Sequence, residues 1–539
     1  MNLKSFFNNL FEYNDNYNFS ISNKEITEKP FNMNNNFKAN VFTNINDNLE
    51  FLKSKYNTLI NSDIIIREFE TRALNNTYKS FIIYFDGLVD SASINHFILK
   101  PLMFPKHVNN PDSGKNLVEY ISNRLIPENS VKKTKDFSDI FSGINMGNCL
   151  VFIDTLNVAF NIDVKSYKQR SVDRPENEII IKGPHESFVE NIRTNTSLLR
   201  RIINNENLII ENIPVGNISQ TKCGVCYMQN IANGDLVGEV KYRLNNLDID
   251  SLLSTGQLEQ LIEEDSGYGI PQVISTERPD KCCKYLLQGR VVVLVNGNPY
   301  ALIMPATIED FLFSPEDTNL RPLFANFLRV IRVVAAIITL LLPAVYIAIT
   351  SFHQEILPTS LLFSILSVRE NVPFPIIFEL LLMEFSFELI REAGLRVPSP
   401  IGSTIGIVGA LILGDAAVNA GIVSPTLIII VAITGIASFA IPDFSFGFHL
   451  RTFRFLFIAL GFTAGFLGIG AGLFVYITSL CSFKSFGVPY TSPVSPTFNT
   501  KGNGYFVPPF WKQEYRASFI SPKKEISQSK ISMKWKKKF

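Results

Sequence analysis

The sequence feature that most constrains the fold is a strongly apolar stretch, 324–483, which follows a long charged and polar segment. Within it, 327–350 predicts a spanning helix, because a bilayer crossing needs about 20 apolar residues. Residues 453–481 predict a second, long spanning segment, and 426–441 are barely long enough. The short run 357–368 predicts a re-entrant or interfacial helix. We therefore expect a polar N-terminal domain followed by an α-helical polytopic membrane domain.

Residues 375–393 predict an amphipathic helix, since an apolar side chain recurs there at every third or fourth position. The same helix carries Glu379, Glu384 and Glu388. Such a helix can lie at a bilayer surface or line a wet cavity, but lipid cannot surround it on all sides. The three glutamates are therefore candidates for an ion path or a gate, although an interfacial helix needs a charged face in any case.

One carboxylate, Asp415, stands alone in the next apolar run, 401–423. An ionisable group near mid-membrane costs roughly 2.5–3.5 kcal/mol even on a lenient scale, and is functional by default. Several interpretations stay open. Asp415 lines an ion path with the glutamate helix, where copies in an oligomer would form acidic rings; or it pairs with a cation on another helix or faces a small polar pocket; or it makes a satisfied structural hydrogen bond.

Small residues recur at nearly every fourth position in the two most glycine-rich segments. They are Gly402, Gly406, Gly409 and Gly414 in the first, and Gly461, Gly465, Gly468 and Gly472 in the second. Small residues at this spacing let two membrane helices approach closely. We expect helix packing to be their main role.

The polar part of the chain predicts two α/β lobes, because short apolar runs alternate with helical patterns. The strands predicted for the first lobe are 81–85, 149–153 and 179–181, and those for the second are 208–210, 223–228, 289–294 and 300–304. Asn296 and Gly297 mark a hairpin turn between the last two. Asp86 and Asp154 each follow a strand and mark either a site at one sheet edge or, as we favour, two ordinary turns.

Composition divides the chain into five segments. These are an Asn-rich disordered arm at 1–48, the first lobe at 49–190, the second lobe at 191–320, the membrane domain at 321–483 and a polar, Lys-rich tail at 484–539. The arm is rich in Asn and has no sustained periodicity, which is typical of disorder.

The orientation is predicted from the charges. The N-terminus has no apolar leader, so we expect the large polar domain to stay in the cytoplasm. Arg329 and Arg332 should reach the cytoplasmic surface, and the Lys-rich tail favours a cytoplasmic C-terminus. Arg451 and Arg454 favour the same side, which conflicts with an even number of crossings. We expect about four to six crossings, with both termini inside.

Several function classes are disfavoured. A net charge of +1 does not suit a nucleic-acid binder, and the chain has no phosphate loop, GxSxG elbow or HExxH motif. We therefore expect neither an enzyme nor a cofactor. Cys223-x-x-Cys226 and the adjacent Cys282-Cys283 suggest zinc, but the second pair lacks the usual spacing. We expect reduced, partly buried thiols and no metal.

Motifs in both halves of the chain resemble those of one family. They are PFP, ELIREAGLRVP, IGSTIGIVGALILGDAAV and AGIVSP in the apolar part, and RPENEIIIKGPHESFVENIRTN and the turn Thr276-Glu277-Arg278-Pro279-Asp280-Lys281 in the polar part. Their order and spacing resemble the GerA family, the A subunits of nutrient germinant receptors in endospores. The chain departs from the family at Arg174-Pro175-Glu176 and at Lys182, where the family has Arg. The polar motifs look exposed, and either bind a partner or close the interface between the lobes.

The resemblance implies a place in the inner membrane of a bacterial spore, with a transporter-like B subunit and a lipoprotein C subunit as partners. It also implies a response to small nutrients that triggers ion release and germination. Because the family's nutrient recognition is usually placed on the B subunit, we expect signal transduction here, as a homo-oligomeric cation channel in contact with lipid. Two alternatives stay open, a secondary transporter of a small solute and a non-conducting scaffold. A transporter often has an internal repeat, and the helix that carries Asp415 has no second copy.

Overall fold

The computed structural model describes residues 19–21, 40–74, 76–105, 117–128, 130–166, 175, 177–264, 266–370, 372–396, 414–498, 506 and 508–528. Three of the predicted packing glycines, Gly402, Gly406 and Gly409, lie outside these residues, as does the Lys-rich end of the tail.

The first lobe is built on a five-stranded antiparallel sheet. Its strands are β1 Ile64–Ala73, β2 Asn76–Phe85, β3 Val131–Thr134, β4 Cys149–Ile153 and β5 Ala159–Ile162, in the order β1-β2-β4-β5-β3. Its helices are α1 Ile45–Tyr56, α2 Ser91–Ser93, α3 Lys100–Met103, α4 Leu117–Tyr120 and α5 Phe137–Asn145, with π-helical turns at Ile94–Leu99 and Ile121–Leu125. The strands predicted at 81–85 and 149–153 are confirmed. The strand predicted at 179–181 is wrong, because this segment has no ladder partner and instead joins the two lobes.

The two aspartates that follow strands lie at opposite ends of the sheet, because β2 and β4 are antiparallel. Asp86 forms an ion pair with Arg193. Asp154 accepts a hydrogen bond from the Ile45 backbone at 3.2 Å, at the start of α1. They therefore do not share a sheet edge, and each contacts a residue more than a hundred positions away in the chain.

The first helix begins within the segment that composition assigns to the arm. The Asn44 side chain accepts a hydrogen bond from the Asn46 backbone and so caps α1. Leu52 and Tyr56 on its inner face are fully buried. Ordered structure in the first lobe thus starts before residue 48, because a few buried side chains and a cap outweigh the polar composition around them.

The second lobe contains another five-stranded antiparallel sheet. Its strands are β6 Leu208–Val215, β7 Thr221–Met228, β8 Ile274–Thr276, β9 Val291–Val295 and β10 Ala301–Met304, in the order β6-β7-β9-β10-β8. Its helices are α6 Ile192–Ile202, α7 Gly234–Asn245, α8 Thr255–Ile262, α9 Pro279–Gln288 and α10 Ile308–Leu312, with 3-10 turns at Ser266–Tyr268 and Pro315–Thr318. The predicted strands of this lobe, and the hairpin at Asn296 and Gly297, are confirmed.

Helices cover both faces of the second sheet, which explains where its cysteines lie. Cys226 and Cys282 pack in the core under α6 and α9, whereas Cys223 packs in the core under α7 and α8. Residues three apart on a strand point to opposite faces, so the Cys-x-x-Cys pair is divided between two cores. All five cysteines of the lobes are buried.

A buried arginine fixes one lobe against the other. Arg200 on α6 donates to Asp63 at 2.5 and 2.8 Å and to Asn61 at 3.1 Å, both in the first lobe. Its guanidinium also lies 4.0 Å from the ring centroid of Phe85. The Ser62 backbone donates to the Ile210 carbonyl at 3.0 Å. The lobes therefore form a specific, desolvated contact.

The rest of the chain is mainly helical. Its helices are α11 Pro322–Phe352, α12 Thr359–Arg369, α13 Ile376–Arg396, α14 Pro425–Phe439 and α15 Phe444–Ser482, with a 3-10 turn at Gln354–Ile356. Residues 414–419 are also helical. Among the described residues, α11 and α15 are long and apolar enough to cross a membrane, and α14 is apolar but shorter.

Helix α15 is a hairpin of two helices, so the prediction of one long spanning segment is wrong. The chain reverses at Gly465, whose φ of 58° and ψ of −139° are accessible essentially only to glycine. His449 and Tyr476 on the two arms are hydrogen bonded at 3.0 Å. The arms are about 31 Å and 25 Å long at 1.5 Å per residue.

The predicted packing role is confirmed for Gly461 and Gly468, whereas Gly465 forms the reversal. A Cβ at Gly461 would lie 2.8 Å from the carbonyl oxygen of Ala344 on α11. One at Gly468 would overlap the carbonyl oxygen of Leu460 on the other arm. These positions therefore let three helical segments approach to backbone contact.

Both ends of the hairpin return to the second lobe. Near its start, Phe446 stacks on Phe311, with ring centroids 5.9 Å apart, and just after its end Phe483 contacts Tyr268 at 5.0 Å. The tail follows the same surface, with β11 Lys484–Ser485, β12 Val488–Pro489 and 3-10 turns at Phe510–Lys512 and Ser518–Ile520. Ile520 is buried in the core under α7 and α8. The lobes and the tail thus lie at one end of the helical bundle.

Candidate functional site

Five charged side chains meet where α13 crosses the first arm of α15. They are Glu384, Glu388, Arg391, Arg451 and Arg454, which we call the ion cluster. The two glutamates are four residues apart and the last two arginines three apart, so each pair lies on one face of its helix. Two of the three predicted glutamates, Glu384 and Glu388, therefore lie in the same site.

Arg454 is the centre of the ion cluster. Its Nη2 lies 2.9 Å from Glu384 Oε2 and 3.0 Å from Glu388 Oε1. Arg451 Nη1 lies 3.0 Å from the other oxygen of Glu388, and Arg391 Nη1 lies 3.4 Å from Oε1. Arg454 and Glu384 are both 0% exposed. If one partner is removed, water therefore cannot solvate the charge of the other.

The ion cluster carries three positive and two negative formal charges, which leaves a net charge of +1. Arg391 gains a further acceptor in the Ser438 hydroxyl at 2.5 Å and lies 4.4 Å from the ring centroid of Phe439. Arg451 also donates to the Gly447 carbonyl at 3.3 Å. The arginines are thus held by several neutral and charged groups, and the carboxylates are neutralised.

The arginines of α15 are what sequence reasoning missed. It placed Arg451 and Arg454 at the cytoplasmic surface, where they conflicted with an even number of crossings. In the structure they pair with the glutamates of α13. The i, i+3 spacing of these arginines, matched with the i, i+4 spacing of Glu384 and Glu388, is the signal that identifies such a pair of faces.

Glu379 lies apart from the ion cluster, in a separate polar contact. Its Oε2 accepts a hydrogen bond from the Ser424 backbone at 3.2 Å, just before α14, and Arg369 Nη2 lies 3.7 Å from Oε1. The glutamate is 2% exposed. Its carboxylate therefore caps a helix start, where the helix dipole favours negative charge.

A cavity of about 300 Å³ adjoins Glu379. It is lined by Phe374, Phe378, Glu379, Leu381, Leu382 and Ile422. The glutamate is the charged group in this otherwise apolar lining. The cavity wall is therefore almost wholly apolar, because the Glu379 carboxylate is buried and already bound to Ser424 and Arg369.

Asp415 is exposed and is not part of either contact. Gly414, beside it, is buried and faces Ile428 of α14, where a Cβ would lie at an ordinary contact distance of 3.9 Å. Ala417 is also buried. The helical face that carries Asp415 thus points away from the bundle, towards whatever surrounds this subunit.

The polar motif predicted to be exposed is buried. Thr276, Glu277 and Arg278 are at most 5% exposed. Arg278 donates to the carbonyl oxygens of Glu178 at 3.2 Å and Pro184 at 3.0 Å. The motif therefore binds the segment that joins the lobes.

The remaining motif residues hold the same segment. The Glu277 carboxylate accepts from the backbone of Asn177 at 2.7 Å and of Glu178 at 2.9 Å. The Glu178 carboxylate in turn accepts from the Thr276 hydroxyl and, at 2.7 Å, from Lys281 Nζ. Asp280 pairs with Arg278 at 2.8 Å, and Pro279 begins α9. Two stretches a hundred residues apart thus form one hydrogen-bonded unit.

A second buried carboxylate joins the second lobe to α11. Asp317 lies 3.2 Å from Arg329 Nε and 2.8 Å from Arg332 Nη1, and its side chain is fully buried. Arg329 also stacks 3.6 Å from the ring centroid of Phe313. The prediction that these arginines extend to an aqueous surface is therefore wrong, because an acid from the preceding turn neutralises them.

The family model described as Bacillus/Clostridium GerA spore germination protein matches residues 50–519. The chain belongs to the GerA family.

Two curated relatives in the GerA family come from Bacillus subtilis (strain 168). Spore germination protein KA is 40% identical over 471 residues, covering 87% of this chain and 86% of that protein. The uncharacterized membrane protein YfkQ is 36% identical over 482 residues, covering 89% and 91%. The crystal structure of the N-terminal domain of the A subunit of the Bacillus megaterium spore germinant receptor GerK3 covers 50% of this chain and 98% of its own, with 31% identity and a TM-score of 0.40.

Proposed function

We propose that this chain is a membrane subunit of a spore nutrient-germinant receptor that converts nutrient binding into ion release and germination. The observation that carries the proposal is the ion cluster, a set of buried charges between two helices of an apolar bundle. Buried ionisable groups in such helices mark ion pathways and switching elements. Membership of the GerA family supplies the biological context, and no enzymatic step is part of the proposal.

The orientation that we propose places the lobes and the tail in the cytoplasm and the helical bundle in the inner spore membrane as a polytopic domain. It is supported by the two apolar helices α11 and α15 and by the return of both ends of α15 to the second lobe. The B and C subunits of the receptor are its proposed partners, the B subunit being the site of nutrient recognition.

Conduction is proposed to run through a homo-oligomer, with Asp415 as the acidic group that faces the path. Glu384 and Glu388 are neutralised by arginines and Glu379 caps a helix, whereas Asp415 lies on the outer face of the bundle. Copies of this face around an axis would form a ring of carboxylates, which favours cations. The ion cluster then serves to hold α13 against α15.

Ion flux tests the proposal. Spores carrying the chain with its B and C partners, as wild type, Asp415→Asn or the exposed control Glu355→Gln, are given nutrient and cation release is followed. We expect Asp415→Asn to slow release at unchanged protein levels, and Glu355→Gln to leave it unchanged. Unchanged release in Asp415→Asn removes Asp415 from the path. An assembled wild-type receptor that releases no cations makes this chain a scaffold.

A transporter remains the second candidate because of the cavity beside Glu379. Its apolar lining suits the apolar part of a small solute, and a cationic solute would bind Glu379 only by displacing Arg369. Uptake of an alkylamine by vesicles that contain this chain alone, abolished by Glu379→Gln, would favour the transporter over the channel.

A further inference from the structure

The segment between the lobes exposes two large aliphatic side chains next to the start of α11. We call residues 177–184 the strap. Ile179 is 78% exposed and Ile181 is 91% exposed, whereas Ile180 between them is buried. Single exposed aliphatic residues are common on protein surfaces. Here two of them lie on either side of a buried residue, on a segment that many hydrogen bonds hold in place, which is unusual for a surface loop.

The strap is held rigidly, so these side chains cannot turn inward. Arg278 and Glu277 bind its backbone, as described above, and Asn319 Nδ2 donates to the Lys182 carbonyl at 3.0 Å. At Gly183, φ is +148° and a Cβ would lie 2.7 Å from Asn319 Nδ2. The close approach at Gly183 lets the strap lie directly against the residues that lead into α11.

An apolar stripe on α11 continues from this contact. Leu323, Phe324 and Phe327 are all exposed in its first two turns, and the stripe goes on through Ile331 and Val334. Their spacing of one, three and four residues places them along one face of the helix. The opposite face carries the arginines that Asp317 binds. The exposed surface near the strap therefore merges with the surface of the spanning segment.

Positive charges border this surface. Lys182 and Arg321 are both exposed, one on the strap and one immediately before α11. Basic side chains next to apolar ones are the pattern by which a protein rests on anionic lipid, with the apolar groups below the headgroups and the cations among them.

We propose that the strap, with the first two turns of α11, lies in the boundary between headgroups and acyl chains of an anionic membrane. Ile179 and Ile181 insert, and Lys182 and Arg321 contact lipid phosphates. The inference rests on the proposed membrane insertion of α11. The segment that joins the lobes is then bound to lipid, so the bilayer surface fixes the orientation of the lobes.

Site-directed spin labelling tests this. Cys481 is the exposed cysteine and the others are buried, so Cys481→Ser provides a background for single Ile→Cys labels at 179, 181, 218 and 337 in the full chain. Ile218 is a matched control, because it is 77% exposed but lies on the turn between β6 and β7, at the sheet edge opposite β8. Ile337, exposed within α11, reports membrane insertion itself. The vesicles contain phosphatidylcholine and phosphatidylglycerol.

We expect labels at 179 and 181 to be several-fold less accessible to a water-soluble nickel chelate than the label at 218, and more accessible to oxygen. Water-like values at 179 and 181, with a lipid-like value at 337, overturn the strap proposal and leave the spanning helix intact. Water-like values at all three positions overturn the membrane assignment as well. Spin–spin broadening at 179 or 181 that disappears on dilution with unlabelled chain assigns the surface to a second copy and also overturns the proposal.

Discussion

Arg454 and Glu384 form an ion pair 2.9 Å long in which neither side chain reaches solvent, although the residues lie on helices seventy positions apart in sequence. Removing one member of a buried pair leaves the other charge buried without a partner, which typically costs about 3–5 kcal/mol. Removing both is often nearly neutral, because the desolvation cost disappears with the charges.

We therefore predict that Arg454→Met lowers the free energy of unfolding by roughly 3–5 kcal/mol, and that Arg454→Met with Glu384→Met recovers most of the loss. Thermal unfolding in detergent measures both. Lys53→Met is the control, since Lys53 and Glu68 form an exposed pair at 3.6 Å worth about 0–1 kcal/mol. A double variant no more stable than Arg454→Met would contradict this account of the cluster.

Gly465→Ala is predicted to destabilise the hairpin of α15. An alanine there adopts a strained backbone, at about 1–3 kcal/mol, and its Cβ would lie 2.9 Å from His353 Cε1. Gly470→Ala is the matched control on the same helix, because nothing lies within 4 Å of its Cβ position, and alanine there should stabilise by up to about 1 kcal/mol. Equal melting temperatures of the two variants would show that residue 465 tolerates a side chain.

Arg278→Lys is predicted to release the strap. Lysine cannot donate in the two directions that reach the carbonyls of Glu178 and Pro184, and a lost buried hydrogen bond to a charged group is worth about 1.5–3 kcal/mol. Limited trypsin digestion measures the release as faster cleavage after Lys182. Arg72→Lys, in the first lobe, should leave the cleavage rate unchanged. Slow cleavage in Arg278→Lys would mean that Glu277 alone holds the strap.

Stability of the second lobe should fall as the pH rises from about 5 to about 8. Burial, and then the neighbouring charges of Glu263 and Asp443, raise the pKa of Glu259 to about 8. Burial raises the pKa of Glu263 to about 7, although its carboxylate accepts a hydrogen bond from the Gln272 backbone at 2.7 Å. The folded state holds these protons more tightly than the unfolded chain, so their stabilisation is complete below the ordinary pKa of 4.5 and is lost above the raised values.

Melting temperatures of the full chain across that pH range test the linkage. Glu259→Gln with Glu263→Gln should flatten the decline, whereas Glu50→Gln, on the surface of α1, should not change its slope. A decline of the same steepness in the double variant would assign the pH dependence to other groups.

Local pattern was enough to predict many elements but not what they contact. The all-apolar run at Cys149–Ile153 predicts a buried strand, and the structure has a fully buried strand there. The run at 179–181 is also wholly apolar, but it becomes part of the strap because Glu277 and Arg278, a hundred residues away, bind the backbone of Glu178 directly before it.

The helical region shows the same limit. Gly465 cannot be distinguished in sequence from Gly461 and Gly468, which pack helices together. Its positive φ depends on the backbone conformation and cannot be predicted from the residue type alone. Arg454 was assigned to a membrane surface for a related reason. An arginine near the end of an apolar run is either an anchor or a partner of a buried acid, and the position of Glu384 in space decides between them.

The second lobe closes its core with residues that are synthesised last. Ile520 covers the face under α7 and α8, and Phe486 and Ala517 lie in the same core, yet all three follow the whole helical region in the chain. During translation the part of this core that these three side chains fill stays open until α15 has been made. A nascent chain therefore carries an unfinished hydrophobic surface until the tail follows, and premature termination after α15 would leave that part of the core permanently uncovered.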